Sequence, residues 1–112
     1  MIDSYDFGII TIDGKHYTTD VVIFPDRVQS NWWRREGHQL RVEDIEAAVA
    51  EKPEVLVVGT GYHGLMEVMP ETRDYLESRG IQIVAEKTGN ACKTFNELVK
   101  SRRVIAALHL TC

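Results

Sequence analysis

Apolar positions in this chain fall into short unbroken runs separated by stretches of helical period, and the two patterns predict its elements. Val55–Val58 is the clearest run, broken at once by Gly59-Thr60-Gly61-Tyr62-His63-Gly64. A brief apolar run bounded by glycine reads as a strand buried on both faces. Ile81–Ala85 and Val104–Leu108 repeat the pattern. Nearer the N-terminus, residues 7–12 are β-rich, Asp13-Gly14 is a two-residue turn signal, and Lys15–Asp20 continues extended, which predicts a hairpin. Val21–Phe24, closed by Pro25-Asp26, predicts another strand, and a short extended piece lies near Val28.

Between the later runs the period lengthens. Val42, Ile45, Ala48 and Val49 share a helical face that ends before Pro53. Pro70 suits a first helical position and Gly80 a stop. Asn90 is placed to cap a helix from Ala91 to about Ser101, with Phe95, Leu98 and Val99 as its apolar stripe. Helix and strand therefore alternate over the last two-thirds of the chain. This predicts an α/β fold in one domain, residues 1–112: a mostly parallel central sheet flanked by helices, with an N-terminal β-hairpin extension and Val55–Val58 as the central strand.

Charge and cysteine usage narrow the function classes. A formal net charge of −4 disfavours nucleic acid as a partner, with Arg34-Arg35 and Arg102-Arg103 the only basic pairs. No run approaches the length of a membrane span, and the acidic start has no basic leader region. Cys92 and Cys112, far apart, suit a reducing cytoplasmic setting. The four histidines show no metal-ligand spacing, so no metal is expected, and no cofactor is assigned.

The glycine loop is the first candidate for chemistry. Gly59, Gly61 and Gly64 match the G-x-G-x-x-G spacing of dinucleotide sites, and Glu86 ends the next strand. That fingerprint requires a helix starting among its glycines, and Pro70 would break such a helix. The loop is instead expected to run to Met69 and to shape a cleft at the strand's carboxyl end, where open α/β sheets bind ligands. Gly59, Thr60, Gly61, His63, Arg34, His38 and Thr88 are its candidate liners. Cys92, near a predicted helix start, invites a lowered thiol pKa, but a small buried apolar side chain is the favoured account. Trp32, Trp33 and Arg35 form a candidate interface, since tryptophan and arginine are enriched among binding hot spots.

Several of these motifs occur together in one known family. Trp33-Arg34 with Gly37-His38, Pro53 through Gly61, Thr88 with Ala91, Thr94-Phe95-Asn96 with Leu98, and Val104–Leu108 resemble a small α/β domain of unknown function. Its members include the adipogenesis-associated cytosolic protein and a mitochondrial respiratory complex I assembly factor. The resemblance implies a mixed sheet with one strand antiparallel to the rest, and it carries no established catalytic residues. The expected function is a non-enzymatic interaction or assembly-type domain with a protein partner, a second copy among the candidates. The alternative is a small-molecule-binding protein or enzyme using the cleft.

Overall fold

The computed structural model describes residues 1–112. Its elements are β1 (Ile2–Asp6), β2 (Ile9–Ile12), β3 (Lys15–Tyr17), β4 (Val21–Ile23), β5 (Val28–Gln29) and β6 (Gln39–Leu40). A 3₁₀ turn at Val42–Asp44 and helix α1 (Glu46–Ala50) follow. The chain then forms β7 (Val55–Thr60), β8 (Glu67–Val68), α2 (Pro70–Ser78), β9 (Gln82–Glu86), α3 (Thr88–Leu98) and β10 (Val104–His109).

The main sheet has five strands in the order β5-β4-β10-β7-β9. Strands β7, β9 and β10 are parallel to one another, and β4 runs antiparallel to its neighbours β10 and β5. The sheet is thus mixed and mostly parallel. The middle strand is β10 rather than the Val55–Val58 run, because β4 adds to the far side of β10. All six residues of β10 are buried, whereas β9, on the edge, is at best half-buried.

Alternation along the inner strands divides the interior in two. Val55, Val57, Val104, Ala106 and Leu108 face α3 (Ala91, Cys92, Phe95) and the N-terminal strands. Leu56, Val58, Ile105 and Ala107 face α1, α2 and Trp32. Strands carrying apolar side chains on both faces read as unbroken runs, which is why periodicity found them.

Helix α2 begins with Pro70 at its first position and ends in a Schellman motif. Gly80, at φ +71°, lets its own N–H reach the Glu77 carbonyl (3.0 Å) and the Ile81 N–H reach the Leu76 carbonyl (3.0 Å). The Asp13-Gly14 turn joins β2 to β3, both residues at positive φ. Two further expectations are corrected. An additional strand, β1, pairs with β2 through the Phe7-Gly8 turn, so the extension is a three-stranded sheet. And α3 starts at Thr88, not Ala91: the Thr88 N–H donates to the Gly61 carbonyl (3.1 Å), which satisfies the first amide from outside the helix. Asn90 is therefore an exposed first-turn residue and not a cap.

The N-terminal sheet is fastened to α3 by Asn96. Its Oδ1 accepts the Ile2 N–H at 2.9 Å and its Nδ2 donates to the Ile2 carbonyl at 2.8 Å. One amide side chain thus completes both backbone groups of Ile2 as a neighbouring strand would.

Candidate functional site

The glycine loop is packed shut. Gly59 lies within β7, and a Cβ there would stand 2.8 Å from Thr88 Oγ1 and 2.9 Å from a Leu108 methyl. Gly61, at φ +109°, has the Thr111–Cys112 backbone within 2.6 Å of where its Cβ would be. Thr88 ties this region together: its Oγ1 accepts the Gly61 N–H (2.9 Å) and donates to the His109 carbonyl (2.6 Å). Thr60 Oγ1 donates to the Glu86 carbonyl at 3.0 Å. Gly59, Thr60, Gly61 and Thr88 do come together, as expected, but the space between them is filled by side chains and by the chain's last residues. The loop leaves toward Met66, adds the short β8 beside β6, and the next helix begins only at Pro70.

An open concavity of about 320 Å³ lies instead at the carboxyl end of β10. Thr18, Thr19, Trp33, Arg34, His109 and Thr111 are among the residues that line it. Beneath it sits a polar cluster. Asp20 Oδ1 accepts the Leu110 N–H at 2.8 Å, and Oδ2 receives Arg34 Nη1 at 2.9 Å and His109 Nδ1 at 2.7 Å. Arg34 also donates Nε and Nη2 to the Gly37 carbonyl, at 3.2 and 3.1 Å. Its Nη2 stands 3.0 Å from His109 Nδ1 as well. A neutral or protonated ring cannot both give the Nδ1 hydrogen to Asp20 and accept at Nδ1 from arginine. We assign that hydrogen to the Asp20 bond, the shorter contact, which leaves the arginine–histidine approach as simple proximity. His109 Nε2 is buried without a hydrogen-bond partner.

The Arg34 side chain is 5% exposed and that of Asp20 16%. Burial pushes the Asp20 carboxyl up, but the bonds from His109, Leu110 and Arg34 outweigh it and hold the group below the usual aspartate range. With its donors committed to Asp20 and Gly37, the guanidinium works as a clamp rather than as a free anion receptor. It joins the 31–38 loop to β10 and to the residue before β4. Trp32 reinforces the clamp. Its N–H donates to Asp20's carbonyl (3.0 Å), its indole Nε1 donates to the Asp44 carbonyl (3.0 Å), and Arg34 stacks 4.8 Å above its ring.

The neighbours point outward. Trp33 is 80% exposed. Arg35 is exposed and only loosely paired with Glu43 at 3.6 Å. His38 is exposed, with its ring edge-on to His109 at 6.1 Å. His63 belongs elsewhere, packed against Tyr62 and Phe7. Cys92 lies in the second turn of α3, and burial pushes its thiol up to about 12, opposite to activation by a helix terminus. It is a small buried core side chain.

Asp20 and His109 were not among the residues expected at the site. His109 carried a signal: it extends a strand of five fully apolar residues, and a polar residue continuing a buried run needs a partner. Asp20 carried none beyond its position before Val21.

Residues 2–109 match the family described as protein of unknown function DUF498/DUF598. The chain belongs to this family. Among its relatives, NADH dehydrogenase [ubiquinone] 1 alpha subcomplex assembly factor 3 of Xenopus tropicalis is 41% identical over 95% of this chain, and that of Mus musculus is 32% identical over 95%. The matched region spans 58% and 57% of those two proteins. A conserved hypothetical protein from Pyrococcus horikoshii superposes with a TM-score of 0.86 at 32% identity, covering 100% of this chain and 99% of its own.

Proposed function

We propose that this domain is a non-catalytic interaction module with an assembly-type role, and that the Trp33 loop is its contact surface. One observation carries the reading: Trp33, 80% exposed, directly precedes Arg34, whose side chain is 5% exposed and fully clamped. A large aromatic ring held in water on a rigid base binds with little ordering entropy left to lose, and tryptophan is the residue type most enriched in hot spots. The relatives named as complex I assembly factors support a protein partner for this family. Affinity capture from the native cell tests the reading. Trp33→Ala is expected to lose specific partners while its thermal stability stays that of wild type. The same partners at the same yield would remove Trp33 from the interface.

A second reading rests on the concavity beside Trp33, which is large enough for a small metabolite. A thermal-shift screen of metabolites separates the two, because a true ligand raises the melting temperature by an amount that grows with the logarithm of its concentration above Kd.

A further inference from the structure

A second surface carries exposed aromatic rings. Phe7, at the β1–β2 turn, is 51% exposed, while Tyr62 and Leu65, in the loop after β7, are 45% and 55% exposed. The rings lie together, and Tyr62 also meets the half-buried Tyr5 at 6.3 Å. Phe7 meets Tyr62 edge-on at 5.7 Å, and His63 lies 5.1 Å from Tyr62 and 6.4 Å from Phe7. Isolated exposed apolar residues are ordinary, but adjoining ones mark a contact surface, and Phe7, Tyr62 and His63 adjoin, with Leu65 exposed in the same loop as Tyr62. The patch is also rigid. The Gly8, Tyr62 and Leu65 amides donate to the carbonyls of Leu110 (2.9 Å), Thr111 (3.2 Å) and Cys112 (3.2 Å), so both loops rest on one segment.

The charges around the patch indicate its occupant. A shallow hollow beside Tyr62 is rimmed by Asp6 and Lys87, both exposed and opposite in sign. Neither forms an ion pair within the chain. A two-fold axis through this hollow would bring Asp6 of each copy toward Lys87 of the other, with Tyr62, which lines the hollow, close to the axis. An isologous contact requires this self-complementarity, with each patch supplying both signs. We propose that Phe7, Tyr62 and Leu65 form a homodimer interface closed by reciprocal Asp6–Lys87 pairs. It is independent of the Trp33 surface.

Sedimentation equilibrium of the full chain from micromolar to millimolar concentration tests this. A monomer–dimer equilibrium is expected, abolished by Tyr62→Ser and unchanged by Trp33→Ala. Asp6→Lys and Lys87→Asp are each expected to weaken the dimer by on the order of tenfold, because both reciprocal pairs become like-charged. The double variant Asp6→Lys/Lys87→Asp restores opposite signs across the axis and is expected to return to near wild-type affinity. Circular dichroism confirms that each variant is folded. A monomer at every concentration, a dimer indifferent to Tyr62→Ser, or a double variant weaker than either single one overturns the proposal.

Discussion

The Asp20 cluster allows a quantitative test of how the Trp33 loop is held. Asp20→Ala deletes the acceptor of three donors: the Leu110 N–H, His109 Nδ1 and Arg34 Nη1. The Arg34 guanidinium remains almost wholly buried without its counter-charge. Breaking a buried pair from one side costs about 3–5 kcal/mol, chiefly through the charge left behind. At roughly 4 °C per kcal/mol for a domain of this size, the melting temperature is expected to fall by about 12–20 °C. Urea denaturation followed by tryptophan fluorescence reads the same loss, since Trp32 and Trp33 flank the cluster.

Removing both partners separates repulsion from attraction. Asp20→Ala/Arg34→Met places an apolar chain where the orphaned charge would be, and is expected to be more stable than Asp20→Ala alone by about 1–3 kcal/mol. The pH dependence has a definite sign. The native Asp20 pKa lies below its unfolded value, so this stabilisation is complete above about pH 4, the unfolded range, and is lost as pH falls through the native pKa. Asp20→Asn is expected to flatten that acid limb. An Asp20→Ala loss below about 1 kcal/mol, with the acid limb intact in Asp20→Asn, would refute a load carried by the cluster.

The adjacent tryptophans should separate cleanly. Trp32→Ala is expected to cost about 3–5 kcal/mol as a core truncation, and Trp33→Ala less than about 0.5 kcal/mol, both by urea denaturation. The glycines should divide the same way. Gly61→Ala forces a Cβ to 2.5 Å from the Cys112 backbone at φ +109° and is expected to lose more than about 2 kcal/mol. Gly89→Ala, in the first turn of α3 with open space around the new methyl, is expected to gain about 0.5 kcal/mol. Asn96→Ala removes both bonds to Ile2 and is expected to raise hydrogen exchange at Ile2 and across β1 while β7 and β10 stay protected.

Those contrasts show what the sequence made legible. Strands β7, β9 and β10 were readable because burial on both faces leaves a run of apolar letters. Helix α2 was readable because Pro70 and Gly80 are local signals acting within their own turns. Strand β1 was hidden. Only Ile2 of its five residues is buried, and its ties to the rest of the fold run through distant residues such as Asn96, 94 positions away, and Leu110. The start of α3 was hidden for the same reason: its first amide is satisfied by Gly61, so no capping side chain appears in the sequence. Local chemistry writes itself into neighbouring letters, and tertiary substitutes for it do not.

The candidate site follows the same rule, with one difference. Arg34 and the tryptophans announced themselves by residue type, but type alone does not divide an anchor from a foundation. Trp32 and Trp33 are identical letters at adjacent positions, as are Arg34 and Arg35. Their roles separate because Asp20 and His109, from opposite ends of the chain, draw Arg34 inward while Asp44 takes the Trp32 indole N–H. Along this loop the burial alternates: Trp32 and the Arg34 side chain are held in, and Trp33 and Arg35 are turned out. The exposure of Trp33 is therefore a consequence of the clamp beneath it. A variant that loosens Arg34 should weaken partner binding without touching the interface, and its binding defect should grow as its stability falls.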